Sequence, residues 1–181
     1  GHGFFAGGIS RINEAFGQAV HDFRVFLDHL ERAQGVTEVG VMGVSLGGFT
    51  AALLAATEPR LRFAIPNVPV ASVADLVLEW EPIGTMVRLG FRALDRSVED
   101  TRHLLAVSCP LTYPPVLPRD RLFVIGGVGD RLAPPKHSRL LWDHWGRCRI
   151  HWFPGSHLLH LDRGAYLRQI ARFLRGVGFY D

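Results

Sequence analysis

Apolar residues along the chain switch between a period near 3.6 and short unbroken runs, and the switches mark out the elements. Ile12, Phe16, Val20, Phe23, Leu27 and Leu30 recur at helical spacing, and Gly35 supplies the stop. The next run, VTEVGVMG, is short, apolar and valine-rich, which predicts a buried strand. SLGGFTAALLAATEP reads as a helix ended by Pro59, and LRFAIPNV as a second strand. Further on, RLFVIGGVGD predicts a third strand, a helix runs through KHSRLLWDHWG, CRIHWFPG is a fourth strand, and AYLRQIARFLRG closes as a helix before Gly176. Strands alternating with helices predict an α/β fold with a mostly parallel central sheet flanked by helices.

One interval breaks the alternation. Residues 70–118, between the second and third strands, hold helical patterns in VADLVLEW, IGTMVRLGFRAL and SVEDTRHLLAV and end in the proline-rich CPLTYPPVLP. That is longer than a crossover connection needs. The expectation is one domain over residues 1–181 with a helical cap insertion at roughly 70–118. A purely structural helical excursion is the alternative.

Composition narrows the class. The 181 residues are 48% hydrophobic, enough for one domain with a substantial core. Twenty basic against seventeen acidic residues leave a net charge of +3, and the basic ones are scattered arginines with Lys136 the single lysine. No basic patch marks a nucleic-acid partner. No stretch reaches the ~18 apolar residues of a membrane span. Two cysteines, Cys109 and Cys148, form no disulfide framework and fit a reducing compartment, so a cytoplasmic setting is expected, subject to any targeting segment upstream of Gly1.

The chemistry centres on Gly43-Val44-Ser45-Leu46-Gly47, a G-x-S-x-G sequence with a strand before it and a helix after it. A sharp strand-to-helix turn strains the serine backbone, and side chains two residues to either side are expected to collide, which accounts for both glycines. Ser45 would then stand exposed as a nucleophile, with the N–H of Leu46 at the helix start as an oxyanion donor. The loop lacks a P-loop lysine and is not G-x-G-x-x-G.

A serine hydroxyl needs a base, and the base an orienting acid. Asp130 follows the third strand and is the expected acid, with Asp75 as the reserve. His157 follows the fourth strand in FPGSHLLHLDRG and is the expected base. His160, three residues on, competes, but LLHL reads as the start of the final helix. The other histidines near this end (His137, His144, His151) show no HExxH and fall on different elements, so no metal is expected and no cofactor is called for. Trp80, Met86, Leu89 and Phe91 in the cap would line an apolar pocket for a small acyl substrate.

These residues together resemble the alpha/beta-hydrolase superfamily, and bacterial esterase- or lipase-like members in particular: the GVSLGG elbow, VGDRLAPP for the acid and PGSHLLHL for the base. The resemblance runs from Phe4 to nearly the end. It implies a mostly parallel eight-stranded sheet and hydrolysis of a carboxylic ester, thioester or amide through an acyl-enzyme. It also implies strands before the elbow that this sequence lacks. The opening GHG is similar to the loop after the family's fourth strand, and the loop that gives the second oxyanion donor is not visible, His2-Gly3 lying too close to the elbow to serve. The chain is therefore expected to be the carboxyl two-thirds of an N-terminally incomplete hydrolase domain. The strand at Val39–Met42 would then be an unpaired edge, open to a homodimer. Two rivals share the sequence: an acyltransferase or cofactor-free perhydrolase using the same three residues, and a non-catalytic hydrolase fold acting as a binding or dimerising module.

Overall fold

The computed structural model describes residues 9–81, 83–93 and 97–180, with the side chains of Ile9, Ile83 and Phe91 outside that description. Four strands form one sheet in chain order: β1 (Val39–Val44), β2 (Leu61–Asn67), β3 (Phe123–Gly127) and β4 (Arg149–Phe153), every adjacent pair parallel. The helices are α1 (Ile9–Gln34), α2 (Leu46–Thr57), α3 (Val73–Glu79), α4 (Ile83–Ala93), α5 (Val98–Leu105), α6 (Pro135–His144) and α7 (Arg163–Gly176). Since parallel strands all end on the same side, the loops after β1, β3 and β4 emerge along one rim.

Burial follows position in the sheet. All five residues of β3 are buried, as a strand covered on both faces requires, whereas β1 alternates and leaves Met42 and Val44 exposed. One face packs Val41, Ala64 and Val124 under Ala52 and Ala55 of α2 and Leu141 of α6. The other packs Phe63, Ile65, Phe123, Ile125 and Phe153 under Tyr166 and Phe173 of α7. Helix α1 lies outside α2, where Phe16 meets Phe49 at a ring distance of 4.3 Å. Beyond the end of α2, Arg60 joins the buried Glu58 (2.8 Å) to Asp28 of α1 (2.7 Å). Pro66 has no N–H to offer, and the β2–β3 ladder is thin around it, bridging at Ala64–Leu122 and again at Asn67–Ile125.

Three helices fill the long interval, and the starts of two of them are written in the sequence. Ser72 accepts the N–H of Asp75 at the head of α3, and Ser97 and Asp100 form a reciprocal capping box on α5. Asp75 receives Arg102 Nε at 3.0 Å, which ties α3 to α5. Burial works to raise that carboxyl, but Arg102, Ser72 and Lys136 outweigh it and hold it below its ordinary value. At the other end, Trp80 donates its indole N–H to Leu132 O at 3.1 Å, fastening the interval to the loop after β3.

β1 is paired only with β2 among the described residues. No described helix is long and apolar enough to cross a membrane. Both cysteines are free; burial raises each thiol, Cys148 to about 12.

His137, fully buried on α6, accepts the N–H of Ala71 on Nδ1 at 3.3 Å and so pins α6 to the segment after β2. Its burial lowers its pKa below 6.5, against the pull of Glu79, and burial does the same to His151 and His160. As pH falls through about 6.5 the unfolded histidines take protons that the folded ones resist, so folding stability declines on acidification. Denaturant midpoints at pH 7.5 and 5.5 should fall accordingly, with a shallower fall in His137→Asn. An equal fall in the variant would remove His137 as a cause.

Candidate active site

At the end of β1 the chain turns sharply into α2, and Ser45 takes the turn with φ 57° and ψ −115°. A positive φ in a residue bearing a Cβ costs about 1–3 kcal/mol and persists only where the surroundings impose it. They do so here. The Ser45 N–H donates to Asn67 O at 3.0 Å, and Phe49 N–H returns to Ser45 O as the first bond of α2. The amides of the first helical turn, Leu46 leading, have no carbonyl inside the helix to meet.

The two flanking glycines are not equivalent. A Cβ on Gly43 would stand 2.1 Å from Gly47 O, a clash with backbone, whereas a Cβ on Gly47 meets nothing within 4 Å among the described residues. The second crowded position is Gly48, whose Cβ would come 3.0 Å from Asn67 O and 3.1 Å from Pro69 Cα. The expectation that both Gly43 and Gly47 are sterically required is corrected to Gly43 and Gly48. The helix leans toward the end of β2, and that approach crowds the third residue after the serine.

Asp130 follows β3 and is buried. Its Oδ1 accepts the N–H groups of Leu132 and Ala133, each at 2.9 Å, and its Oδ2 lies 2.7 Å from His157 Nδ1. An ionised carboxylate only accepts, so it orients the ring with the Nδ1 proton toward Asp130 and Nε2 on the opposite side. Asp75, the reserve acid, is instead engaged by Arg102 and Ser72.

His157 sits on a tight return between β4 and α7. Ser156 N–H donates to Leu159 O at 2.9 Å, Leu161 N–H to Pro154 O at 3.0 Å, and Gly155 takes φ 137°. The reading of LLHL as the start of α7 is corrected: Asp162 caps the helix through Ala165 N–H, so α7 begins at Arg163. His160 stacks on Phe153, ring centroids 3.9 Å apart, and bridges to Gly155. The structure thus joins His157 to Asp130 directly and sets Ser45 on the same rim, at the end of β1, two strands from β3. Among the described residues the Ser45 hydroxyl makes no hydrogen bond to the imidazole. Such contacts are often long before substrate binds.

The remaining histidines disperse. His144 meets Tyr113 O at 2.8 Å and His151 lies on β4. No group of three or more His, Cys, Asp or Glu is placed to hold a metal among the described residues. In the interval, Met86 and Leu89 are exposed on α4 and Trp80 leans on the acid loop, while the Phe91 side chain and the His2-Gly3 opening lie outside the described residues. A cavity of about 270 Å³ is walled by Phe49, Asp75, Arg102 and Cys109 among others and includes none of Ser45, Asp130 or His157. Sequence reasoning missed Asn67 and Tyr166, which meet behind the rim at 2.9 Å. The available signal was a lone asparagine at the end of the apolar FAIPN run.

A parallel sheet, a strained serine between β1 and α2, and a histidine–aspartate pair after the last two strands can be set beside known proteins. The chain aligns structurally with Est1E of Butyrivibrio proteoclasticus (TM-score 0.61, 17% identity, 91% of this chain and 71% of that one). It also aligns with an esterase of Pyrococcus furiosus (0.59, 14%, 86% and 60%) and an enol-lactonase of Burkholderia xenovorans (0.54, 21%, 88% and 73%). The chain has the alpha/beta-hydrolase fold. No family model matches it. In sequence, two uncharacterised Mycobacterium tuberculosis proteins, Rv2627c and MT2702, are each 33% identical to this hydrolase-fold chain over 172 residues, or 91% of it. The chain spans 39% of the length of these curated relatives.

The glycine geometry gives a paired test. Gly43→Ala should destabilise the fold by about 3 kcal/mol through overpacking, whereas Gly47→Ala should stay within about 1 kcal/mol of the parent. Denaturant unfolding measures both, and equal losses would contradict the elbow described here.

Proposed function

We propose that this chain carries the catalytic centre of a serine hydrolase that cleaves a carboxylic ester, with thioesters and amides as chemically related substrates. The observation that carries the reading is the 2.7 Å contact between His157 Nδ1 and the buried Asp130 carboxylate, on the rim where the strained Ser45 stands. In this mechanism His157 Nε2 takes the Ser45 proton as the oxygen attacks the acyl carbon. The resulting oxyanion meets the Leu46 N–H, and the imidazolium returns its proton to the leaving alcohol as the carbon–oxygen bond breaks. Water then repeats the sequence on the acyl-enzyme, releasing the acid and freeing Ser45. Asp130 holds the ring in the required tautomer and stabilises its positive charge without itself taking the proton.

Exposed apolar side chains sit beside each of the three residues: Val44 and Leu46 flank Ser45, Leu132 follows Asp130, and Leu158 adjoins His157. They favour an apolar acyl group at this rim. The 70–118 interval serves as the cap in this reading, with the exposed Trp80, Met86 and Leu89 as its apolar contribution. The acyl-transfer and perhydrolysis variants use the same three residues and differ in what receives the acyl group. The edge of β1, unpaired among the described residues, favours a second reading, a dimerising module, which predicts a folded dimer on size exclusion and no turnover.

A panel of p-nitrophenyl esters of increasing acyl length tests the proposal. Turnover should rise with chain length over the shorter acyl groups. It should fall by about 10⁴-fold or more in Ser45→Ala and by about 10⁴-fold in Asp130→Asn, with the fold intact. Undiminished turnover in Ser45→Ala would refute the assignment.

A further inference from the structure

The described backbone has three non-glycine residues at positive φ, Ser45 (57°), Val68 (40°) and Arg147 (56°), and two of them touch one residue, Asn67. Asn67 closes β2 and is buried, 1% exposed. Its carbonyl accepts the Ser45 N–H at 3.0 Å, and the start of α2 rests on the same oxygen through Gly48. Val68, immediately after it, is fully buried and donates its N–H to Ile125 O at 2.8 Å, so the strained turn is anchored to β3 as well.

The side chain of Asn67 faces a different element. Its Nδ2 donates to Tyr166 Oη on α7 at 2.9 Å, while its Oδ1 is buried with no partner among the described residues. Tyr166, 9% exposed, packs edge-on to His160 at 5.2 Å and to Phe153 at 6.2 Å. His160 stacks on Phe153 and bridges Gly155, so these rings form the floor of the return that carries His157. A buried, half-satisfied asparagine is a costly way to join a strand to a helix that already meet through Phe63 and Phe173. Leucine at position 67 would avoid that cost. Such violations of packing logic gather where geometry matters to function.

We infer that Asn67 and Tyr166 are positioning residues: their hydrogen bond sets the return carrying His157 in register with the backbone of Ser45. One continuous path links the two, from Ser45 N–H to the Asn67 carbonyl, through its side chain to Tyr166, and by ring contact to His160 and the return. The pair touches no reacting atom. It fixes the distance across which the serine proton must pass, and therefore this inference rests on the reading of Ser45, Asp130 and His157 given above. Misplacement by about an ångström at such a centre is worth up to a hundredfold in rate.

Tyr166→Phe removes the hydroxyl and keeps every ring contact, and Tyr180→Phe is the control, since Tyr180 donates to Ala171 O at 3.1 Å away from the rim. Two readouts are taken on the 181-residue chain: kcat and KM on a p-nitrophenyl ester, and the low-field Nδ1 proton resonance of His157. In Tyr166→Phe, kcat should fall by about ten- to a hundredfold with KM within about twofold. The resonance should move upfield or broaden, and Tyr180→Phe should leave both unchanged. If Tyr166→Phe lowers only the melting temperature, or changes nothing, the pair is structural and the inference is overturned. A parent chain without turnover would defeat the hydrolase reading instead, and the resonance alone would then decide this one: unmoved in Tyr166→Phe, it overturns the inference.

Discussion

A carboxylate buried as deeply as that of Asp130 persists only if its lone pairs are met, because desolvating an unpaired charge is far more costly than most contacts can offset. Two backbone amides from its own loop satisfy one oxygen and His157 satisfies the other. The arrangement constrains everything near it. The loop after β3 must fold back so that Leu132 and Ala133 present their amides, and the return after β4 must bring the imidazole to Oδ2. The Leu132 carbonyl, held by the same turn, becomes the attachment point for Trp80 at the end of α3. The buried Asp130 thus organises His157 on one side and the long helical interval on the other.

The second constraint is steric. Ser45 holds a backbone conformation that its Cβ disfavours, and the turn is kept by close approach on both sides: Gly43 beneath the first turn of α2, Gly48 against the end of β2. Strain of this kind is maintained only by a rigid surround. The surround here is the parallel ladder from β1 to β3 together with Asn67, whose carbonyl fixes the serine amide. Ser45 is therefore held by the sheet itself, while Asp130 and His157 stand on the loops after β3 and β4.

Much of this was legible in the sequence because parallel-sheet topology turns chain order into spatial order. Runs such as VTEVGVMG and RLFVIGG announce strands, and a residue just after each falls on one rim, which is why the sequence alone places Ser45, Asp130 and His157 there. What escaped depended on contacts across long stretches of chain. Asn67 and Tyr166 are 99 residues apart, and nothing local to either names the other. The crowding at Gly48 in place of Gly47 depends on how closely α2 settles onto the end of β2. LLHL resembled a helix start because leucine periodicity says nothing of exposure, yet Leu158, Leu159 and Leu161 all face solvent and Asp162 sets the true boundary. Asp130 and Asp75 differ in their partners, which the sequence does not name: Arg102 engages Asp75, and His157 meets Asp130.

The central claim is that Ser45 is activated by the His157–Asp130 pair. Labelling with a fluorophosphonate probe, followed by peptide mass mapping, examines it most directly, since the probe reacts with serines whose proton a neighbouring base can remove. The account predicts a single phosphonylated serine at position 45, lost when His157 is replaced by alanine. A folded chain that takes no label, or takes it on another serine, would contradict it.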